Sequence, residues 1–544
     1  MKRIFAVFLC VLLAAPIVVI SLNKIDDVFV ASVYALAQKI LGTGFYSLEP
    51  FHDRNSVGNW DWQGHANGIS YYPAISIIYA VLSLVSGVPL NILIFIPFGI
   101  TFLLLALLAL ASRVLHNKFF IFAYLLIQVF YLRIVYNLSY HTVGFFFHAL
   151  LLVILFRTLY EKPEVSYSSL ISFILIVGAS LTYYTASAWN LVFLAATMVS
   201  FILFKFRKIN IKNANQKINS TLSLTLFTAV LYFLIDRQFF KYVAERSIME
   251  ALVNFVNYMG YRLRGLPYPM SKERYGILPY DPLGRVLSYF PLAMILFSIA
   301  YTFIALLTSI KSKNKTLTSP LAMFTALVVC GIFENLAYFS YTQNIGNRYF
   351  QMFGLLIGFF AIEKIISKKQ QKTGKKLLLY VSAAVLTILI LSSAFYNVYY
   401  GVFRGNVAIR SEVPTLCVNA SNWLASRVGH DNIVSEHQVS GFLFMDVIKA
   451  NKSDSVRVFP LNEDIYAVYE AITQCDEKTL SKLFAIRTYS LFVYLKIFDQ
   501  KPMFGDVWGY AVPPLNEHEN NLYNFKIFNK IYDDGNAMIL NYNR

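Results

Sequence analysis

Repeated apolar segments of membrane-spanning length constrain this chain more than any other feature of its sequence. A helix that crosses a bilayer needs about 20 apolar residues. About eleven runs approach or reach that length, counted against the same requirement: 1–22, 91–112, 119–135, 143–157, 169–185, 187–204, 222–235, 286–309, 320–340, 348–366 and 377–399. Only 14% of the residues are charged, whereas soluble domains contain about 25%. The sequence therefore predicts an α-helical polytopic membrane protein.

Basic connectors between these runs predict the topology, because cytoplasmic loops are enriched in Lys and Arg. Lys2 and Arg3 place the N-terminus inside, ahead of a retained first span. The other basic connectors all face the cytoplasm only if the apolar run 71–90 does not cross the membrane. We therefore expect 71–90 to be a short helix at the outer surface, bounded by Tyr-Tyr-Pro and Gly-Val-Pro. The basic connectors are 113–118, 205–217, 310–315 and 364–376. The segments then predicted outside are 23–90, 136–142, 236–285, 341–347 and 400–544.

The sequence predicts two domains in chain order. Residues 1–399 would form the transmembrane domain, with the first outer loop at 23–90 and a long outer loop at 236–285. Residues 400–544 alternate strand-length apolar runs with helical patterns, which predicts a small extracytoplasmic α/β domain. Asp534–Gly535 between two apolar runs indicates a β-hairpin. Cys417 and Cys475 lie in this part and could pair in an oxidising compartment, which the sequence leaves open.

The charge and the motifs exclude several classes of function. The net charge of +17 is explained by basic cytoplasmic loops, and no cluster of basic and aromatic residues points to nucleic acid. The chain has no phosphate-binding Gly-rich loop and no Cys or His spacing typical of zinc. We therefore expect no required cofactor. A divalent cation stays open, but no motif supports it.

Asp26 and Asp27 form an acidic pair just after the first apolar run, close to the predicted outer membrane surface. The structural interpretation is that one of them caps the helix VFVASVYALAQKI and meets its dipole. The functional interpretation is that one carboxylate is a general base, which takes a proton from an acceptor hydroxyl as that oxygen attacks a sugar carbon. The second carboxylate would raise the pKa of the base or orient the acceptor. Both interpretations can hold together.

Other candidates share a predicted place on or near the outer face, and each also has a structural explanation. Arginines there can bind phosphate through the guanidinium fork, or simply be solvated or reach the interface. An ionisable residue inside a span suggests function or a structural pair with a neighbouring helix. The phosphate-binding candidates are Arg348, Arg262 and Arg264, and the candidates for substrate contact are Asp61, His65, His141 and Glu334.

These features together resemble the GT-C superfamily of integral membrane glycosyltransferases, which use polyprenyl-phosphate sugars. The resemblance rests on the order of short motifs rather than on any one of them. In chain order they are IDDVFVASVYALAQKILGTGFY after the first span, YYPAISIIYAVLSLVSG at the end of the first outer loop, the basic turn ASRVLHNK, the late span GNRYFQMFGLLIGFF and the hairpin KIYDDGNAMILNY.

The resemblance implies a GT-C membrane core with an exterior domain, with Asp26 or Asp27 as the base and Arg348 at the lipid phosphate. Two motifs of the oligosaccharyltransferases in this superfamily are absent: the second outer loop, NLSYHTVG, has no carboxylate, and the C-terminal Trp-Trp-Asp-Tyr-Gly sequence is missing. We therefore expect a mannosyltransferase-like enzyme that transfers a single sugar, with inversion, to a glycan, lipid or protein acceptor. The alternatives are an oligosaccharyltransferase-like enzyme or a flippase of lipid-linked glycans.

Overall fold

The computed structural model describes most of the chain outside its first 29 residues. The described ranges are 30–47, 72–93, 98–135, 140–161, 165–182, 184–207, 213–235, 282–312, 318–342, 349–373, 406–427, 431–450, 455–461, 464–500 and 521–543, with a few single residues and pairs between them. These residues fall into two compact units. We call 1–18, 97–259 and 280–400 the membrane unit, and 19–96, 260–279 and 401–544 the sheet unit.

The described helices account for most of the predicted apolar runs. The helices are α1 Val30–Thr43, α2 Ala74–Ser86, α3 Leu90–Leu93, α4 Phe98–Val114, α5 Lys118–Val135, α6 Tyr140–Phe156, α7 Val165–Ser180, α8 Tyr184–Phe206, α9 Ala214–Ile235, α10 Pro282–Ser312, α11 Thr318–Thr342, α12 Leu355–Thr373, α13 Asn406–Arg427, α14 His437–Lys449, α15 Asp464–Thr473 and α16 Glu477–Ile486. Each run from 91–112 to 348–366 contains a helix. The runs 1–22 and 377–399 lie outside the described residues, apart from a single helical residue at position 388.

Helices α4 to α12 build the membrane unit. Among the described residues, three helical segments are long and apolar enough to cross a bilayer: Thr142–Leu159, Ala186–Phe206 and Ala214–Leu234. Six further apolar helical segments are shorter, five of them in this unit and one, α2, in the sheet unit, so the predicted total of about eleven spans stays a prediction. Helix α10 begins at Pro282, a residue favoured at the first helical position. The loop predicted over 236–285 therefore ends earlier than expected.

Helix α2 confirms the boundaries predicted for the apolar run 71–90. The helix starts after Pro73 and ends at Gly87, whose φ of +67° is a left-handed conformation that glycine adopts readily. At 13 residues it is about 20 Å long, too short for a hydrocarbon core of about 30 Å. One face is buried in the sheet unit, whereas Leu84 and Val85 on the other face are exposed. Its place at the membrane surface stays a prediction.

The sheet unit contains a five-stranded mixed sheet in the order β2-β1-β3-β7-β6. Its strands are β1 Asn432–Ser435, β2 Arg457–Pro460, β3 Leu491–Leu495, β6 Phe528–Asp533 and β7 Ala537–Tyr542, and a separate pair is formed by β4 Met503–Phe504 and β5 Ala511–Val512. Strand β1 pairs in parallel with both β2 and β3. Helix α14 lies in the connection from β1 to β2, and α15 and α16 lie in the connection from β2 to β3. Strand β3 is buried along its whole length.

The predicted hairpin is confirmed between β6 and β7. Gly535 lies at the turn with a φ of +90°, a conformation that favours glycine. Its backbone N–H donates to Asp533 Oδ1 at 3.0 Å, while Asp534 Oδ1 accepts from the N–H groups of Asn536 and Ala537. The Asp-Asp-Gly sequence therefore closes its own turn. Elsewhere in the sheet unit, Cys417 is buried and Cys475 is exposed, and both are free thiols.

Candidate functional site

Most of the candidate residues chosen from sequence lie outside the described part of the chain. These are Asp26, Asp27, Asp61, His65, Arg262 and Arg348. Histidine 141 is the second residue of α6, but its side chain is likewise outside the described residues. The roles assigned to these residues therefore stay predictions. The side chains of Arg264 and Glu334 are described, and each sits in a different unit.

Arg264 lies in the sheet unit, at the end of a single turn of the chain. Its backbone N–H donates to the carbonyl of Gly260 at 3.3 Å, and its side chain is exposed. An exposed guanidinium is suited to an external phosphate, and equally to contact with water.

Glu334 lies on α11 in the membrane unit and is completely buried. Its Oε2 accepts a hydrogen bond from the backbone N–H of Tyr349 at 2.8 Å. Its Oε1 has no hydrogen-bond partner among the described residues. A carboxylate at the first N–H groups of a helix stabilises that helix start, because those groups have no partner within the helix. This bond links α11 to the start of the next helical segment, and the substrate contact predicted for Glu334 stays a prediction.

The side chain of Tyr349 joins a second buried polar group. Its hydroxyl lies 2.9 Å from Nε2 of His148, and Nδ1 of the same histidine lies 2.6 Å from Oδ1 of Asn190. Because Oδ1 of Asn190 can only accept, Nδ1 of His148 is the donor in that bond. All three side chains are completely buried. The imidazole thus links α6, α8 and the start of the late span.

The residues after Tyr349 form a π-helical turn, Phe350–Gly354, which leads into α12. Three side chains from other helices donate to its carbonyl groups. Tyr124 Oη donates to Met352 O at 3.0 Å, and Gln128 Nε2 donates to Gln351 O at 2.8 Å. Ser298 Oγ donates to Gly354 O at 2.6 Å. We call residues 349–354 the held segment.

The held segment is also fixed by packing against Gly331, which lies one helical turn before Glu334 on α11. A Cβ atom there would lie 2.5 Å from Cε1 of Phe350, so only glycine leaves room for that ring. The ring of Phe353 packs on the other side, 4.7 Å from Tyr349 and 5.4 Å from His148 between centroids. The held segment is therefore enclosed by side chains, and the groups around it are suited to fixing a backbone rather than to acid–base catalysis.

Sequence reasoning missed His148, Asn190 and Tyr349 as parts of one cluster. A signal was present, because polar residues inside long apolar runs usually pair with one another. The sequences FFFHALLL and AWNLVFL each place one such residue within a predicted span. What the sequence did not show was that His148 and Asn190 meet each other, and that His148 also meets Tyr349.

Within the sheet unit, a buried side chain of the first outer loop forms hydrogen bonds with the backbone of the C-terminal sheet. Gln63, which is 2% exposed, donates from Nε2 to the carbonyl of Val456 at 2.7 Å. Its Oε1 accepts from the N–H of Val458 at 3.4 Å. The amide group thus bonds to the edge strand β2 much as another strand would. Gln63 lies between Asp61 and His65 in sequence, so this contact anchors the loop that contains both.

Two further features of the sheet unit lie at helices α1 and α14. A groove of about 200 Å³ lies at the end of α1 and is lined by Leu36, Lys39, Ile40, Thr43, Phe45, Tyr46 and Ser47. On α14, the Asp446 carboxyl accepts a short hydrogen bond from the hydroxyl of Ser421. Burial raises the pKa of Asp446 against the opposing effects of Ser421 and Lys449.

In the described part of the chain, no group of three or more His, Cys, Asp or Glu residues is placed to hold a metal ion.

Comparisons with known proteins identify the fold. No family model and no curated protein sequence matches the chain. The crystal structure of the oligosaccharyltransferase of Archaeoglobus fulgidus, tethered to an acceptor peptide with the NVT sequon, is similar over 99% of this chain and 74% of that chain, with a TM-score of 0.51 and 12% identity. The chain shares the fold of that oligosaccharyltransferase. This confirms the fold expected from the order of the motifs.

Two more structures of oligosaccharyltransferase from Archaeoglobus fulgidus are also similar to this chain. The complex with an inhibitory peptide and a dolichol-phosphate covers 90% of this chain and 70% of that chain, with 12% identity and a TM-score of 0.47. The apo form covers 91% and 70%, with 13% identity and a TM-score of 0.48.

Proposed function

We propose that this protein is a membrane glycosyltransferase that transfers a sugar from a polyprenyl-phosphate-linked donor to an acceptor hydroxyl on the extracytoplasmic face. The observation that supports this most is the GT-C fold, shared over 99% of the chain with a membrane glycosyltransferase. The short motifs of the sequence point to the same class. The donor's lipid tail would lie in the bilayer, which places its phosphate at the membrane surface.

The proposed reaction is a direct displacement. The acceptor oxygen attacks the anomeric carbon and forms the new glycosidic bond, while the bond from that carbon to the phosphate oxygen breaks. The electron pair of the broken bond leaves with the phosphate. Asp26 or Asp27 takes the acceptor proton as general base. Attack opposite to the leaving group inverts the anomeric centre.

Arginine residues would hold the leaving phosphate. Arg348 is the principal candidate, because a guanidinium group matches a phosphate with two parallel hydrogen bonds and keeps its charge. Arg262 and Arg264 are assigned as further phosphate contacts. Asp61, His65 and His141 are assigned to sugar or acceptor contacts in the outer loops. No cofactor is required by this scheme, and the N-terminus would be cytoplasmic with residues 400–544 outside.

A second candidate is an oligosaccharyltransferase-like enzyme with a peptide acceptor. The observation that favours it is that the similar archaeal structure is an oligosaccharyltransferase tethered to an acceptor peptide. The missing acidic motif of the second outer loop and the missing Trp-Trp-Asp-Tyr-Gly sequence weigh against it. The two candidates share the donor class and differ in the acceptor atom, which is an amide nitrogen in one and a hydroxyl oxygen in the other.

The test is a transfer assay in membranes that contain the full chain. Radiolabelled polyprenyl-phosphate and polyprenyl-diphosphate sugars would be offered with glycolipid hydroxyl acceptors in one arm and sequon peptides in the other. Asp26→Asn and Asp27→Asn would be compared with wild type, and Asp431→Asn in the C-terminal part would serve as the matched carboxylate control. We expect transfer to a hydroxyl acceptor, lost in one of the two variants and kept in the control.

Each other outcome is informative. Transfer only to sequon peptides would favour the oligosaccharyltransferase-like candidate. Transfer that both aspartate changes leave intact would overturn the proposed base. An absence of transfer, together with translocation of labelled glycolipid across the membrane, would replace both enzyme proposals with a flippase.

A further inference from the structure

The groove at the C-terminal end of α1, here called the α1 groove, is not used by any contact assigned to the proposed reaction. Its volume is about 200 Å³, and its lining residues all belong to the last two turns of α1 and the four residues that follow. Pockets for drug-sized ligands have volumes of about 300–1,000 Å³. The α1 groove is therefore large enough for one small unit of a longer ligand.

A closed turn shapes the α1 groove. Gly44 has a φ of +77°, a left-handed conformation that favours glycine, and its N–H donates to the carbonyl of Ile40 at 2.8 Å. The hydroxyl of Thr43 donates to the carbonyls of Lys39 and Phe45, at 2.8 and 3.0 Å. The turn holds Phe45 in an exposed position, with 66% of its surface accessible.

Gly42 leaves the backbone open beside this groove. It lies in the last turn of α1, and a Cβ atom there would meet no atom within 4 Å, so packing does not require glycine. Glycine is unfavourable within a helix, and it allows a ligand to approach the backbone closely. Gly42 therefore costs helix stability and keeps the end of α1 accessible to a ligand.

The lining of the α1 groove combines aromatic rings with hydrogen-bonding groups. Phe45 and Tyr46 carry rings whose faces are partly negative and attract C–H groups. The last carbonyl groups of a helix have no partner within it, so they can accept from ligand hydroxyls. Lys39 alone among the lining residues is charged, and it lies at the negative end of the helix dipole, which opposes its charge. These groups together suit a neutral sugar ring, which has hydroxyls at its edge and C–H groups on its faces.

We propose that the α1 groove is a glycan-binding subsite that takes one sugar ring of a neutral glycan. The ring stacks on Phe45, and its hydroxyls donate to the carbonyl groups at the end of α1. The identity of this glycan as the acceptor rests on the proposed function, whereas the binding of the ring does not. The subsite gives the first outer loop a binding role that requires no metal and no charged ligand.

The test is binding of neutral disaccharides to the full chain in lipid nanodiscs, titrated by saturation-transfer NMR. Maltoside and glucoside detergents are avoided, because their headgroups have the chemistry of the ligand. The probes are maltose, cellobiose, mannobiose and chitobiose, and inorganic phosphate is added as a competitor that reports an anion site. Sugar transfer is measured separately on the same preparation.

Three variants make the test specific to the α1 groove. Phe45→Ala removes the exposed ring, and Gly42→Leu places a side chain in the open space beside the groove. Ile486→Ala is the matched control, because Ile486 is an apolar residue of the sheet unit with a similar exposure of 62%. All three positions are exposed, and thermal unfolding would verify that each variant is folded.

We expect at least one disaccharide to bind, with little competition from phosphate. Phe45→Ala should weaken binding roughly two- to tenfold, the effect expected for one aromatic contact. Gly42→Leu should weaken it at least as much, and Ile486→Ala should leave it unchanged.

Three results would overturn the inference: no binding of any disaccharide, binding that both Phe45→Ala and Gly42→Leu leave unchanged, or displacement of the bound sugar by phosphate. The proposed function is tested separately by the transfer assay. Transfer without disaccharide binding would reject the subsite and keep the proposed function. Disaccharide binding that depends on Phe45, in a chain that transfers no sugar, would keep the subsite and reject the proposed function.

Discussion

The membrane unit and the sheet unit both use polar side chains to bond to backbone groups, but with different consequences. In the membrane unit, Tyr124, Gln128, Ser298 and Glu334 each bond to the backbone of the held segment. In the described part of the sheet unit, Gln63 of the first outer loop bonds to the backbone at the edge strand β2 through both ends of its amide group. The first arrangement is distributed over four side chains, and the second depends on a single amide group.

The difference follows from what surrounds each contact. In a membrane interior, no water replaces a lost partner, so each polar group must be satisfied within the protein. At a sheet edge, water can replace a lost side chain once the loop moves away, so the bond is a docking contact rather than a requirement. We therefore expect changes in the membrane unit to be more costly, and changes in the sheet unit to act locally on the first outer loop.

The largest expected effect is in the cluster around Tyr349. His148→Leu would leave both the Tyr349 hydroxyl and the Asn190 amide buried without their present partner. At about 1–3 kcal/mol for each of these two buried groups, we expect a loss of about 2–6 kcal/mol. Thermal unfolding of the full chain in detergent would measure it. Thr158→Val is a suitable control, because that hydroxyl donates to the carbonyl of Ile154, one turn earlier in the chain. Equal stability of both variants would contradict the comparison.

The sequence predicted the fold of the membrane unit better than its polar cluster. Apolar runs and basic connectors gave the approximate place of most described helices, because hydropathy reflects the requirement that a span satisfy its own backbone. The partners of His148, 42 and 201 residues away along the chain, could not be read in the same way. No local pattern encodes which buried polar groups meet across helices.

In the sheet unit, the hairpin around Gly535 was predictable and the role of Gln63 was not. Asp-Gly between two apolar runs is a local signal, since the turn is closed by neighbouring residues. Gln63 stands in a polar, aromatic stretch, NWDWQGHANG, where attention fell on Asp61 and His65. Its partners, Val456 and Val458, lie more than 390 residues away, with sequence separations of 393 and 395. A contact of that range depends on tertiary structure alone.

The next effect tests the docking contact of Gln63. Gln63→Leu keeps the approximate volume but removes both hydrogen bonds to β2, and we expect a local loss of about 1–3 kcal/mol. Hydrogen exchange of the full chain, followed by mass spectrometry, should show faster exchange in peptides that cover 455–461 and little change in the membrane unit. Gln500→Leu, at an exposed position, is the control. Faster exchange throughout the chain would show that the loop contact is not local.

A smaller effect of opposite sign is expected at Asp446. Its pKa is raised, chiefly by burial, so folding favours the protonated carboxyl. The contribution to stability is present at pH values below its unfolded pKa of 3.8 and is lost as the pH rises through the folded value. Asp446→Asn keeps a hydrogen-bond partner for Ser421 without the charge. At pH 7 it should stabilise the sheet unit by on the order of 0.5–1 kcal/mol, as measured by thermal unfolding, and this gain should vanish near pH 3.

The smallest effect is the reverse pH dependence at the hairpin. Partial burial would raise the pKa of Asp533, but hydrogen bonds from Lys496, the Gly535 N–H and Lys530 outweigh it and lower the pKa to about 2. A lowered folded pKa gives stability that is present at pH values above the unfolded pKa of 3.8 and is lost as the pH falls through the folded value. Exchange protection of peptides covering 528–542, corrected for intrinsic rates, should therefore fall between about pH 4 and pH 2.

In Asp533→Asn this fall in protection should be absent. Protection at pH 7 should be slightly lower than in wild type, because the two lysines lose their charged partner. A step of the same size in the variant would assign the pH dependence to another carboxyl of the sheet unit. A step that also reached the held segment would contradict the separation of local and distributed contacts on which the comparison rests.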